Sequence, residues 1–283
     1  MIRHFALALI LLTASTTFAG NPLYLMPQSA TTNPCDYSLT KPIPKDQLWQ
    51  LQSDRPSRAN SAYTVAPGHL YIESGFLYTN NSNEGQTAHR FDIANTQLRL
   101  GVLCDLELDL TFTPFIWEQI NRPRETLQGF GDVEVAAKYS LWQTEKSALS
   151  VRPAITFPTG TDSLSQGAVG VGLNVPYSYN VNKEINLFEM PGISYEPDSN
   201  GPGYHVELLN AVGIQYSLTE KLKSFGELFV QANTEEWSEV VATADIGLMY
   251  QFTDNFQVDV GAYIGLTDDS DDLVSFVGAT YRL

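Results

Sequence analysis

From Gly68 to the end of the chain, apolar and polar residues alternate in short segments separated by turn residues. In the segment LELDLTF (106–112), for example, every second residue is apolar, and Glu107, Asp109 and Thr111 stand between. Because successive side chains of a strand point to opposite faces, such a segment has one apolar face and one mixed face. About twelve segments of this kind predict an all-β fold, with strands centred near residues 74, 97, 110, 137, 153, 174, 189, 212, 227, 247, 261 and 278.

The connections between these segments alternate in length. Short turns fall at residues 104–105, 143–146, 182–184, 219–221 and 253–255, and longer polar connections fall at 80–90, 118–131, 159–167, 197–204, 233–239 and 267–272. Short turns at one end and long loops at the other are typical of an antiparallel up-and-down meander.

The strand lengths favour a transmembrane barrel. The apolar stretches span roughly 9–11 residues, the length of a tilted membrane-crossing strand. Aromatic residues gather at strand ends, as an interfacial girdle requires, and the chain ends within its last strand on the residues Gly278, Tyr281 and Leu283. This ending resembles the pattern by which outer-membrane strands are inserted, so we expect the barrel-assembly machinery and outer-membrane lipid as partners. A soluble secreted β-protein with its apolar faces packed together is the alternative.

The first residues have the pattern of an export signal. Arg3 and His4 precede eight apolar residues, too few to span a bilayer, and Thr17-Phe18-Ala19 forms a cleavage site before Gly20. This pattern predicts a signal peptide at residues 1–19, with a buried N-terminal helix as the alternative. The mature chain is then expected in the outer membrane of a Gram-negative bacterium.

Residues 20–67 contain seven prolines and show no regular period. Proline removes backbone donors and disfavours inner strands, so we predict an irregular periplasmic arm or plug, with at most a short turn near residues 46–51, before a barrel at residues 68–283. Cys35 lies on this arm, and Cys104 lies in a turn on the side where the arm begins. In an exported chain this pair predicts a disulfide that holds the arm at the barrel mouth, where it can gate or plug the lumen; two unpaired thiols are the alternative.

Charge and composition exclude several classes of protein. The formal net charge is −16, which argues against nucleic-acid binding and against attachment to anionic lipid through basic residues. Hydrophobic residues make up 43% of the chain, which is too many for a disordered protein.

The polar face of the predicted strands carries ionisable side chains that would line the lumen. They could fill a narrow barrel as a structural network, or form a pore that favours cations over anions. Glu189 is left out, because it falls on the apolar side of its strand and indicates either a bulge or a shifted register there. The predicted lumen-lining residues are Glu73, Arg99, Glu107, Asp109, Glu134, Lys138, Arg152, Glu207, Lys223, Glu227, Asp245, Asp259 and Arg282.

No motif for catalysis, a metal or a cofactor stands out. His69, His89 and His205 show no pairing in sequence with a nucleophilic serine, so we predict no catalytic residues, although distant strands could assemble a triad. The four aspartates at residues 268–272 could bind a hard cation, but their spacing is not that of an EF-hand and a solvated loop is the simpler interpretation.

Four stretches carry a family resemblance: DRPSRANSAYTVAPGHLYIESGF (54–76), GFGDVEVAAKYSLW (129–142), ITFPTGTD (155–162) and FQVDVGAYIGLTDDSDD (256–272). Together they resemble the transporters of the phenol-degradation MetA-pathway family. In that family an Asp-Arg-Pro segment precedes the first strand, Gly-x-Gly-Asp opens a strand that ends in Ala-Lys-Tyr, and Pro-Thr-Gly closes the next. The resemblance implies an outer-membrane β-barrel that acts as a transporter or channel, and it names no catalytic residues.

Together these patterns predict a porin-like channel or transporter for the passive or facilitated uptake of small solutes, with aromatic or hydrophobic solutes among the candidates. A structural or adhesive barrel with a closed lumen is the alternative, and an outer-membrane lipid hydrolase is the third.

Overall fold

The computed structural model describes residues 34–83, 86–121, 124–198, 202–234 and 240–283. The predicted signal peptide and residues 20–33 lie outside the described residues. The described strands are β1 (Leu70–Asn83), β2 (Gln86–Gly101), β3 (Leu106–Phe112), β4 (Phe115–Asn121), β5 (Arg124–Gly129), β6 (Val133–Gln143), β7 (Ser147–Phe157), β8 (Gly170–Asn174), β9 (Tyr177–Asn180), β10 (Ile185–Pro197), β11 (Tyr204–Ser217), β12 (Leu222–Asn233), β13 (Val240–Thr253), β14 (Phe256–Gly265) and β15 (Leu273–Arg282).

These segments form one closed antiparallel barrel of twelve strands. Closure comes from strand β1, which pairs with β2 on one side and with the last strand, β15, on the other. Three strands of the barrel are interrupted, so β3 with β4, β5 with β6, and β8 with β9 each make one wall strand. Pro114 and Pro176 lie at two of the interruptions, because proline has no N–H to donate to the ladder. The predicted all-β, up-and-down barrel is confirmed.

The two faces of the barrel differ in polarity. Outward side chains such as Phe76 and Ile246 are 57% and 55% exposed, whereas inward Arg99 and Glu107 are fully buried. A soluble sandwich would bury the apolar face, so this distribution excludes that alternative and identifies a membrane-spanning barrel with a polar interior. Aromatic clusters mark both rims: Phe252 packs on Tyr250 and Phe256 near one end, and Tyr195 stacks on Tyr204 near the other.

Two of the predicted long loops are largely strand. Strand β1 continues to Asn83 and β2 begins at Gln86, and strands β4 and β5 occupy most of residues 115–129. The prediction of loops at 80–90 and 118–131 was therefore wrong. Polar sequence marks where a strand leaves the lipid, but it does not mark where the strand ends, and these hairpins extend the wall beyond the apolar band.

Strand β10 keeps a regular register past Glu189, which lies opposite Val212 of β11 and Tyr177 of β9 with no shift on either side. Neither a bulge nor a shifted register explains this residue. Met190 and Phe188 pack inside the barrel, so Glu189 lies on the outer face.

Residues 34–69, the described part of the chain before β1, are irregular. They contain two short 3-10 helices, Pro34–Asp36 and Lys45–Gln47, and one bridge between Ser38 and Lys41. Within the described residues no helix has the length and apolarity to cross a bilayer. Cys35 and Cys104 form a disulfide with a Cα–Cα distance of 5.0 Å, which confirms the predicted pairing.

Candidate functional site: a polar segment inside the barrel

Residues 49–66, here called the inner segment, lie within the barrel. Their contacts come from different parts of the wall: Ala59 packs against Met190 of β10 and Phe229 of β12, and Tyr63 packs against Ala148 of β7. Val65 contacts Tyr71 of β1, and both are fully buried. Because these wall residues lie on strands around the circumference, the inner segment crosses the lumen.

Asp54 is the polar centre of the inner segment. Its carboxylate lies 3.1 Å from the Lys138 ammonium and 3.2 Å from the Arg99 guanidinium, and it also accepts the backbone N–H of Ser61. Burial alone raises the pKa of Asp54, but Arg99, Lys138 and Arg152 outweigh it and hold the pKa well below the ordinary value. Asp54 is therefore ionised and bridges two buried cations of the wall.

Wall glutamates bind the backbone of the inner segment. Glu73 accepts the N–H groups of Asp54 and Arg55 at 3.0–3.1 Å, and Glu227 accepts those of Arg58 and Ala59 at 2.9 and 3.1 Å. Glu107 accepts the N–H of Val65. Buried backbone donors need partners, and an irregular segment has no ladder to supply them, so these carboxylates replace a strand neighbour.

Two arginines of the inner segment pair with wall aspartates. Arg55 binds Asp259 through two N–H groups at 2.8 and 3.1 Å. The guanidinium of Arg58 lies 3.4 Å from Asp245, between the rings of Phe229 and Tyr263 at 4.7 and 4.5 Å. These pairs connect the inner segment to strands β13 and β14, whereas Asp54 binds residues of β2 and β6.

Paired glycines make room for Arg55. Gly75 of β1 and Gly278 of β15 are opposite one another in the wall. A Cβ built at Gly75 would lie 2.7 Å from the Arg55 guanidinium, and one at Gly278 would lie closer still. A larger side chain at either position would therefore displace Arg55.

The other predicted lumen residues also point inward. Arg152 joins Asp109 and Glu134 at 2.9 and 2.7 Å, and Arg282 donates to the Trp49 carbonyl at 2.6 Å. Two predicted residues lie apart from this network. Glu207 contacts His205 and Gln231, and Lys223 makes no ion pair with any described residue.

Both ends of the inner segment are fixed at the same rim of the barrel. On the N-terminal side the disulfide ties Cys35 to the turn after β2, and Leu39 donates to Val102 at 2.8 Å. On the C-terminal side Gly68 donates to Gly101, also at 2.8 Å. The segment thus enters and leaves the lumen as a loop from the end where the short turns lie.

On the far side of the inner segment lies a cavity of about 330 Å³. Arg90 pairs with Asp92 at 2.9 Å within it, and Asn81 donates to Asp271 at 2.9 Å. Its lining mixes these groups with apolar side chains, and it includes Arg58, Leu77, Glu118, Tyr263, Asp271 and Val274.

The three histidines in the described part of the chain form hydrogen bonds to groups other than serine. His69 bonds to the carbonyls of Ile43 and Leu283, and His89 bonds to the Tyr78 hydroxyl. His205 bonds to Asp198 and to Glu207. In the described part of the chain no group of three potential ligands is arranged to hold a metal ion.

Asp54, Arg55 and Arg58 lie in the barrel interior but are not among the predicted lumen-lining residues. One signal was present: the predicted lumen set has eight acids against five bases, and buried carboxylates require cations. Arg55 and Arg58 supply part of that requirement from outside the strands.

Comparisons with known proteins agree with this architecture. The family described as "Putative MetA-pathway of phenol degradation" matches residues 53–283, a span that includes most of the inner segment. A crystal structure of an outer-membrane channel from Pseudomonas putida F1 matches with a TM-score of 0.61 at 13% identity, covering 78% of this chain and 98% of that one. The NanC porin matches with a TM-score of 0.50 at 11% identity, covering 76% and 100%. The translocator domain of the autotransporter NalP from Neisseria meningitidis matches with a TM-score of 0.50 at 12% identity, covering 76% and 88%. A search of curated proteins found no match.

Proposed function

Since the chain belongs to the phenol-degradation MetA-pathway family, we propose that it is a channel for the uptake of small solutes and that its inner segment closes the lumen at rest. The chain is an outer-membrane β-barrel, with an apolar outer face and a polar interior. The observation that carries the proposal is the ion-pair network across the lumen, in which Asp54, Arg55 and Arg58 each bind wall residues. An interior built from ion pairs separates more readily into water than an apolar core, because each partner regains hydration.

The cavity beyond the inner segment is the entrance for solute. Its volume of about 330 Å³ is at the lower end of the range for small-molecule sites. Its lining places three carboxylates against two guanidinium groups, so it favours neutral or cationic solutes over anions. Leu77 and Val274 supply apolar contacts, which suits solutes with an aromatic or aliphatic body.

The arm and the short turns are assigned to the periplasmic side, with the disulfide formed in that oxidising compartment. Membrane lipid surrounds the apolar band, and the barrel-assembly machinery is the proposed partner for the C-terminal strand β15. On this orientation the cavity opens toward the outside of the cell.

A structural barrel with a permanently closed lumen is the second candidate, because the same network fills the interior. A lipid hydrolase is not proposed: the three similar structures named above are a channel, a porin and a translocator domain, and the described histidines bond to carbonyl, phenol and carboxylate groups.

Uptake into proteoliposomes separates these candidates. Benzyltrimethylammonium and benzenesulfonate have similar aromatic bodies and permanent opposite charges, so neither crosses lipid freely. Transient release of the inner segment should let the full chain admit the cation faster than the anion, and Glu118→Gln should reduce that preference. The exposed Glu145→Gln is the matched control and should leave it unchanged. Faster uptake of the anion would contradict the proposed selectivity, and no uptake of either probe would favour the closed structural barrel.

A further inference from the structure

A carboxylate and an amide lie together on the lipid-facing side of the barrel. Met190 and Phe188 of β10, and Ala211 and Leu209 of β11, pack inside. Because strand side chains alternate between faces, Glu189 and Asn210 point outward. The Asn210 amide Nδ2 donates to the Glu189 carboxylate at 3.3 Å.

This pair lies at the middle depth of the membrane. Along the outer face of β11, the aromatic residues Tyr204 and Tyr216 stand at the two ends, and Asn210 is the sixth residue from each. Leu187, Ile193, Val212 and Ile214 surround the pair, with exposures of 42–48%. Polar groups at this depth are costly when they face lipid alone.

The pair is incompletely satisfied within one chain. The Asn210 Oδ1 has no hydrogen-bond partner among the described residues, but it is buried within its own chain and is not the atom that meets a neighbour. The amide has a second hydrogen to donate, and a carboxylate accepts several donors. One hydrogen bond of 3.3 Å therefore leaves both donor and acceptor capacity unused.

We propose that Glu189 and Asn210 form the centre of an interface between two copies of this chain. All copies of an outer-membrane barrel have the same orientation, so a two-fold axis between neighbours runs along the membrane normal and brings equal depths together. The amide of one copy then donates to the carboxylate of the other, and the reverse bond forms by symmetry. A second copy is the partner that the chemistry selects, because it supplies at this depth the same donor and acceptor that each chain leaves unused.

Neighbouring backbone features also favour a contact here. Pro191 lies opposite Asn210 on β10, and Pro176 interrupts the adjacent wall strand. Each proline removes one N–H from the ladder, so the wall has fewer backbone hydrogen bonds beside the polar pair. A neighbouring barrel would cover this part of the wall.

Cysteine crosslinking in liposomes tests the interface. Val212→Cys places a thiol opposite Glu189 on the outer face, and Val277→Cys on β15 places a similarly exposed one four wall strands away. The native cysteines are joined in a disulfide. We expect mild oxidation to link Val212→Cys into dimers and to leave Val277→Cys monomeric.

The polar pair is tested by adding Asn210→Leu to Val212→Cys. This variant increases the apolar lipid-facing surface, so the barrel should fold, which a heat-dependent gel shift verifies. We expect dimer crosslinking to fall on the order of tenfold. Equal crosslinking at both cysteine positions, no dimer at Val212→Cys, or a yield unaffected by Asn210→Leu would each overturn the proposal. In native outer membranes, a crosslinked product of Val212→Cys with the mass of one chain plus another protein would overturn the proposal, because the partner at this surface would then be that protein and not a second copy. None of these readouts depends on conductance, so they stand apart from the channel function.

Discussion

At the scale of single residues, Asp54 joins the inner segment to two cations of the wall. It joins Arg99, Lys138 and the N–H of Ser61 in a site closed to solvent. Arg99 and Lys138 also bind Glu107, so Asp54 adds the connection from these wall cations to the inner segment. The position of the segment therefore depends on this side chain.

Asp54→Asn is expected to release the inner segment. The change removes one of the two carboxylates that Arg99 and Lys138 share, because both cations keep Glu107. The loss of these charge-assisted hydrogen bonds should destabilise docking by about 1.5–3 kcal/mol. Faster hydrogen exchange over residues 49–66, measured by mass spectrometry, would show the release. Asp46→Asn, at an exposed position of the same arm, should change nothing. Equal exchange in both variants would rule out Asp54 as the anchor.

Binding of the inner segment to the barrel wall should weaken at low pH. The pKa of Asp54 is lowered in the docked state, so its contribution is fully present above the ordinary aspartate value of about 3.9. That contribution is lost as the pH falls below this value toward the lowered pKa. We expect exchange over residues 49–66 to be constant from neutral pH to about pH 5, after correction for the intrinsic rate. A release that begins near neutral pH would point to a different anchor.

The inward side chains of the strands follow from the alternation of apolar and polar residues. Because strand side chains alternate between the two faces, one assigned residue assigns all others of its strand. Alternation could not locate Asp54, Arg55 or Arg58. An irregular segment has no period, and its position depends on wall charges far away in sequence. The glycines opposite one another at Gly75 and Gly278 were a usable signal, since inward glycines in neighbouring strands imply that another group fills the space.

At the scale of elements, the disulfide and the rim contacts make the inner segment a loop fixed at both ends. The sequence separation of 69 between Cys35 and Cys104 corresponds to about 4 kcal/mol in the chain-entropy model. The tether does not itself hold Asp54 against the wall. Its consequence is that a released segment stays at the barrel mouth and can dock again.

Replacing both cysteines with serine should loosen the arm and leave the docked segment in place. We expect faster hydrogen exchange at residues 36–48 and little change at residues 54–59, because the ion pairs of Asp54 and Arg55 do not involve the bridge. Reduced wild-type protein should behave like the double variant. Unchanged exchange at residues 36–48 would show that the bridge does not restrain the arm.

At the scale of the whole molecule, an even number of wall strands places both ends of the barrel at the same rim. Together with the short turns, that rim is assigned to the periplasm. The long hairpins and the cavity then face outward. Length and periodicity predicted this topology from the sequence, whereas the extended hairpins at 80–90 and 118–131 were missed because their polar residues resemble loops.

Labelling of single added cysteines tests the orientation. Ser82→Cys lies at an exposed position of the β1–β2 hairpin, and Glu145→Cys lies in an exposed turn at the opposite rim. An impermeant thiol reagent should label Ser82→Cys in intact cells and Glu145→Cys only after the outer membrane is opened. Ser270 is buried and is a poor labelling position. The reverse pattern would invert the topology.

The central claim is that solute passes through the lumen and that the inner segment closes it. Ser53 and Thr280 have hydroxyl oxygens 2.6 Å apart, so Ser53→Cys with Thr280→Cys can lock the segment to β15. In a background with Cys35 and Cys104 replaced by serine, planar-bilayer recordings should show no current when the lock is oxidised and channel openings after reduction. The unlocked background should show openings under both conditions. Current through the oxidised, locked barrel, or no current from the unlocked one, would contradict the account.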